Sequence, residues 1–275
     1  MKVYISFDIE GVTGITDNRD IDEKSPFFND AMKLGTGDVN AAIEGALDAG
    51  ASEIIVYDGH GVGRRNLIYE AIHPKAKLLR GRLSNAGMNM PAFDDTYDAV
   101  FFIGWHARAS APGVMSHCLN SRVFAEWKIN DSPVGEPELA AALAGEYQVP
   151  LVLFTGDDKA CEEVKNWCPE CELVVTKFSL DRYTALCLSK ENTYDLIRRA
   201  ASSAVDKKNN VPPFKFSSPI VVEASTFDDH VALALSEIPG IKRIAPRTVT
   251  FKCLDYKEAF RTIHVMQMVS FAAIE

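Results

Sequence analysis

Apolar residues in this chain gather in short runs of strand length, each followed by a polar turn, with longer stretches of helical spacing between them. Val3 to Glu10 alternates apolar and more polar residues with the two-residue period of a half-buried strand. Further strands are predicted at Glu53–Asp58, Ala99–Gly104, Arg122–Ile129 and Pro150–Thr155, and one beginning at Ser218–Glu223. Helices are predicted over Asp30–Ala49, closed by Gly50, and over Pro137–Tyr147, Asp157–Trp167, Lys190–Lys207 and Tyr256–Ala273. This alternation predicts an α/β fold of three layers, a largely parallel sheet flanked by helices, with a smaller C-terminal α/β portion. The portions expected are residues 1–160 and 161–275, able to pack as one continuous domain, with a loop or linker at Asn209–Pro213. No internal repeat or low-complexity segment interrupts the pattern.

The trailing ends of three runs carry metal-capable side chains. Asp8 and Glu10 close the first run, two residues apart and so on one side of a strand; each offers oxygen ligands, and one carboxylate can bridge two ions. The alternative is a pair that merely caps a turn. His60 follows the second run between Gly59 and Gly61, which allow a tight loop close to a ligand, and His106 follows the third after Gly104 and Trp105. Singly, each histidine reads as an ordinary polar residue at a loop start. Together they predict a shared metal site at the carboxyl edge of a sheet, where open α/β sheets collect their ligands. Pro137, suited to the first helical position, would place Glu136 at an N-cap, either against the helix dipole or as a further ligand. Between His106 and His117 the Pro112-Gly113 turn lets the loop fold back, so His117 is a candidate general acid/base or nucleophile. Arg108 and Ser110 are candidates for binding a substrate carboxylate or oxyanion, although Arg108 would serve equally to tie down the loop.

These residues resemble the dinuclear zinc D-aminopeptidase family of the dipeptide-operon type. The resemblance rests on Ser6-Phe7-Asp8-Ile9-Glu10-Gly11, on Asp58-Gly59-His60, on the stretch from Gly104 to His117 and on Asn130 to Glu136, in that order over the first half of the chain. The second half matches more loosely, mainly at Gly156-Asp157-Asp158. The resemblance implies two zinc ions per chain bridged by Asp8, with Glu10 and His60 completing one set of ligands and His106 and Glu136 the other. It implies His117 as the catalytic residue, removal of N-terminal D-amino acids from short peptides, and a homo-oligomer, specifically a decamer. Whether His117 or an activated water attacks is left open. The chain departs from the family pattern at Gly59, where relatives often carry Ser, and over Lys177–Tyr183, departures that bear on substrate preference more than on the metals.

A formal net charge of -9 and a pI near 5.2 argue against nucleic-acid or anionic-membrane partners. No apolar run approaches transmembrane length and no signal-peptide pattern precedes the first strand, so the cytoplasm is the expected location. Cys168 and Cys171, two residues apart, follow a helix and precede a strand, the reverse of a thioredoxin-type arrangement, and are expected in a surface turn; the other four cysteines read as reduced thiols, mostly buried. His264 reads as a packed or half-exposed helix-face residue, His73 and His230 as turn and helix-start residues, and at least one of Asp157 and Asp158 as a cap. Two rival functions use the same residues: a dinuclear metallohydrolase acting on phosphate esters, and a non-catalytic peptide-binding protein.

Overall fold

The computed structural model describes residues 1–61, 63–81 and 90–274. Its elements run β1 (Lys2–Phe7), α1 (Asn18–Ile21), α2 (Phe28–Asp48), β2 (Glu53–Asp58), β3 (Ala76–Leu79), β4 (Ala99–Trp105), β5 (Phe124–Ile129), β6 (Ser132–Pro133), α3 (Glu136–Glu146), β7 (Leu151–Asp157) and α4 (Asp158–Trp167). They continue with β8 (Glu172–Asp181), β9 (Thr184–Cys187), α5 (Lys190–Lys207), β10 (Ile220–Thr226), α6 (Asp229–Ser236), β11 (Lys242–Ala245), β12 (Thr248–Cys253) and α7 (Tyr256–Ala273). Among the described residues no helix is long and apolar enough to cross a membrane.

The main sheet has the order β3-β2-β1-β4-β7-β8-β9 and is parallel except for β9 at its edge. From β1 the chain winds outward through β2 and β3, then returns to lay β4 on the other flank and continues through β7 and β8. The order therefore reverses between β1 and β4, and such a switch point opens a crevice beyond the carboxyl ends of the strands. The central strands are apolar on both faces: every residue of β4 and β7 is buried, and all of β1 after Lys2. That corrects the half-buried expectation for the first run, whose strand also ends at Phe7 and leaves Asp8 and Glu10 in the loop beyond it.

The helices bury one face against this sheet or against each other. In α2 the buried Ala31, Gly35, Val39, Ala42, Ile43 and Ala46 recur at helical spacing, and α2 packs on α5 closely enough that a Cβ on Gly45 would lie 2.1 Å from the Arg198 carbonyl oxygen. The predicted helices are present to within two residues, with one shift of role: Gly135, not Glu136, is the N-cap of α3, and Glu138 reaches back to the Gly135 amide at 3.0 Å.

A second sheet, β11-β12-β10-β5-β6, is antiparallel throughout. The predicted Arg122–Ile129 strand pairs in this sheet, a membership that alternation along a strand does not encode. Helix α7 packs on α3, α6 and this sheet, and the Tyr256 hydroxyl donates to the Leu139 carbonyl at 2.7 Å. The turn holding Cys168 and Cys171 exposes Pro169 and Glu170, as expected of a surface turn, while its two thiols face inward. Both thiols are free and buried, with the Cys168 Sγ 3.7 Å from the Leu151 carbonyl under the start of β7.

Gly45→Ala tests the close approach of α2 and α5. A methyl group meeting backbone forces the helices apart, so we predict a loss of about 1–3 kcal/mol. At roughly 2–4 °C per kcal/mol for a chain of this size, thermal unfolding should begin several degrees lower, while metal content stays at the wild-type level.

Candidate metal centre

The loops leaving β1, β2 and β4 converge because those strands are neighbours in the order β2-β1-β4. Asp8 leaves the middle strand. Its Oδ1 lies 3.0 Å from His60 Nδ1 beyond β2, and its Oδ2 lies 3.5 Å from His106 Nε2 beyond β4. Glu10 Oε2 is 3.1 Å from the same His60 nitrogen, and Glu136 Oε1 at the start of α3 is 3.4 Å from His106 Nε2. Two groups with ligand atoms within 4.8 Å of one another result, Asp8-Glu10-His60 and Asp8-His106-Glu136, with Asp8 common to both. A third such grouping, Glu10-His106-His117, overlaps them.

Ring tautomers are set by the backbone. His106 Nδ1 donates to the Ala107 carbonyl and His117 Nδ1 to the Met115 carbonyl, each at 2.9 Å, which leaves both Nε2 atoms facing the carboxylates. The two rings stack with centroids 4.0 Å apart, and His117 Nε2 stands 3.9 Å from Glu10 Oε1 and 3.8 Å from Glu136 Oε1.

The electrostatics call for added positive charge. Burial and the neighbouring Glu10 push the Asp8 carboxyl up to about 7. Burial also works against charge on Glu10 and Glu136, yet His60, His106 and His117 hold Glu10, and His106 and His117 hold Glu136, below the usual carboxylate range. In return, and against their own burial, the carboxylates carry His106 up to about 10 and His60 well above its ordinary value. His117 differs: burial and the adjacent His106 depress it. Glu10 Oε2 and His106 Nε2 are buried without a hydrogen-bond partner, the His60 contact to Glu10 being close in distance but not aligned for a hydrogen bond. Buried carboxylates and imidazoles with unsatisfied, convergent atoms fit zinc, which takes both ligand types.

The sequence left unseen what holds these loops. Lys177 on β8 is fully buried and donates through Nζ to the carbonyls of Glu10 (2.5 Å), Val12 (2.9 Å) and Ile15 (2.5 Å), gripping the loop that carries Glu10. Burial lowers its ammonium to about 8, against the pull of Asp157, so it remains cationic at neutral pH. Asp58 accepts from the Asn66 and Leu67 amides at 2.8 and 3.2 Å, and Asn66 Nδ2 donates to the His60 carbonyl at 2.9 Å, which fixes the His60 loop. Gly104 has φ +76, and a Cβ there would lie 2.3 Å from the Asp8 carbonyl oxygen, so only glycine lets β4 pass this close to the Asp8 loop. Asp157 caps α4 through Ala160 and accepts from the Val114 amide at 2.6 Å, bracing the loop before His117; Asp158 accepts from Ser179.

A cavity of about 290 Å³ opens on the cluster, with Asp8, Glu10, His60, His117 and Glu136 on its lining, together with Arg64 and, from α7, His264, Gln267, Met268 and Phe271. Arg108 and Ser110 are not on that lining. Arg108 is ion-paired with Glu163, and Ser110 Oγ lies 3.4 Å from Glu126, so in this structure both tie down the loop. His264, read from sequence as a packed or half-exposed helix-face residue, is on the cavity wall; its helical spacing among apolar residues concealed this.

We predict that Lys177→Met, which keeps the buried stem and removes the donor, strands three carbonyls at about 1 kcal/mol or more each. It should lower the melting temperature and weaken zinc binding by about 10- to 100-fold, as loss of an outer support does; calorimetry and competitive zinc titration read the two effects.

The comparisons with known proteins agree with this geometry. A family model described as peptidase M55, D-aminopeptidase, matches residues 1–265. A D-aminopeptidase of Bacillus subtilis (strain 168) is 33% identical over 269 residues, covering 97% of this chain and 96% of that protein. A solved structure described as a Zn-dependent D-aminopeptidase DppA from Bacillus subtilis, a self-compartmentalizing protease, superposes with a TM-score of 0.94 at 31% identity, over 98% of each chain.

Proposed function

The chain belongs to the peptidase M55 D-aminopeptidase family, and from that premise we propose that it is a zinc-dependent metallopeptidase removing the N-terminal D-residue from short peptides. Asp8 would bridge two zinc ions, held on one side by Glu10 and His60 and on the other by His106 and Glu136. The observation that carries this assignment is the division of Asp8: one oxygen faces His60 and the other faces His106.

Zinc, when bound, supplies Lewis acidity toward the scissile carbonyl and the attacking water. The chain's own residues do the rest. His117, locked through Nδ1 and kept neutral near pH 7 by burial and by His106, presents Nε2 to the cavity as the acceptor for the proton of the attacking group, and returns it to the departing amine. The small cavity admits a chain end more readily than the interior of a chain, which favours cutting next to a free amino terminus. The phosphate-ester reading is the weaker one, since the family matched is one of D-aminopeptidases.

We also propose a homo-oligomer, with the decamer of the family resemblance as its form. Phe178, Leu180, Tyr183 and Leu186 on and around the β8–β9 hairpin are exposed, an apolar surface of the kind that subunit contacts cover.

Elemental analysis of the purified protein should find two zinc ions per chain, and the protein should cleave D-Ala-D-Ala. His60→Ala is expected to lose metal. His117→Ala is expected to keep it while turnover drops by about 10²- to 10⁴-fold. A protein without bound metal and indifferent to both substitutions would overturn the reading.

A further inference from the structure

The proposed peptidase chemistry leaves one buried histidine on the cavity wall without a role. His264 of α7 is only 9% exposed, and neither of its ring nitrogens has a hydrogen-bond partner, although the ring lines the same cavity as the metal-ligand cluster. Gln267, nearly one turn along, is near it but not in hydrogen-bond geometry. An imidazole buried with both nitrogens unmet costs about 1–3 kcal/mol. The neighbouring buried positions of α7, Phe260, Ile263 and Met266, are apolar, as packing alone would dictate. A polar group retained there against that cost points to a ligand.

Arg64, from the loop after β2, shares this wall. Its guanidinium stands 5.3 Å from the centre of the Tyr57 ring, and its backbone is in the left-handed region at φ +51, uncommon for a residue other than glycine. Burial and the Arg64 charge hold His264 below the ordinary imidazole value, so at neutral pH it offers one donor and one acceptor.

Asp8, Glu10 and Glu136 are on its lining, while Arg64 is its one guanidinium among the described residues. A short peptide cut at its amino end beside that cluster leaves its carboxylate to be met elsewhere on the lining. At about 290 Å³ the cavity is at the small end for ligand sites, room for about two or three peptide residues.

We propose that His264, together with Arg64, forms the subsite that binds the free C-terminal carboxylate of a short peptide, and so selects di- and tripeptides with an unblocked carboxyl end. This rests on the D-aminopeptidase reading above and adds to it a recognition element remote from the scissile bond. The guanidinium supplies the charge, and the histidine N–H adds a directed hydrogen bond to a carboxylate oxygen.

The test compares D-Ala-D-Ala with its C-terminal amide in wild type, His264→Phe, His264→Gln and Arg64→Met, with zinc content and melting temperature measured on each protein. The wild type should prefer the free acid by about 10- to 100-fold in kcat/KM. His264→Phe and Arg64→Met should shrink that preference through KM, with kcat and zinc content near wild type, because the lost contact is the same in ground and transition states. His264→Gln, which restores a donor, should recover part of it. Should His264→Phe fail to fold, the Gln and Arg64 variants carry the comparison. A wild type indifferent to the carboxylate, or variants that keep the full preference, overturns the inference. A wild type that cleaves neither compound removes the D-aminopeptidase reading itself, and this inference with it.

Discussion

Three carboxylates pressed together away from water form the constraint around which this molecule is organised. Asp8, Glu10 and Glu136 are all buried and share the same few ångströms with His60 and His106. Left to themselves such groups repel or take up protons, which is the behaviour of Asp8 and the two histidines. Cations relieve that repulsion. The rest of the structure keeps the groups from moving apart: Lys177 from below the Glu10 loop, Asp58 and Asn66 behind His60, and backbone carbonyls that lock the His106 and His117 rings.

Much of this was readable before the structure. Asp8, Glu10, His60, His106, Glu136 and His117 each announce themselves by following a strand-like run or a turn, and the structure brings all six together. Their supports were not readable. Lys177 reaches the Glu10 carbonyl across 167 residues of sequence, and nothing local marks a lysine in a strand as buried. His264 looks like core because helical spacing reports which face is inward but not whether that face meets side chains or a cavity. The fold shows the same limit. The strands β1, β2, β4, β5, β7 and β10 were legible from period and length, yet the membership of β5 in a second, antiparallel sheet was not, since its partners β10 and β6 are chosen by long-range packing.

Helix α7 joins the two regions of the structure functionally. The metal-capable residues come from loops of the parallel sheet and from the start of α3, whereas His264, Gln267, Met268 and Phe271 come from a helix packed on the antiparallel sheet. The chemistry and the shape of the cavity therefore draw on different segments. Gln267 Nε2 lies 3.4 Å from the Leu119 carbonyl, which couples the helix to the loop just beyond His117.

The placement of Asp8 directly after the middle strand of β2-β1-β4 has a consequence for how such an enzyme can diversify. Neighbouring strands are about 4.8 Å apart, a distance fixed by backbone hydrogen bonding whatever the side chains. The sheet thus acts as a ruler: a carboxylate directly after the central strand is one interval from a ligand on either flank, and mutation in the loops cannot recalibrate it. Descendants of this chain are free to rewrite the walls of the cavity, and with them the peptides accepted, while the spacing of the catalytic centre is inherited with the strand order.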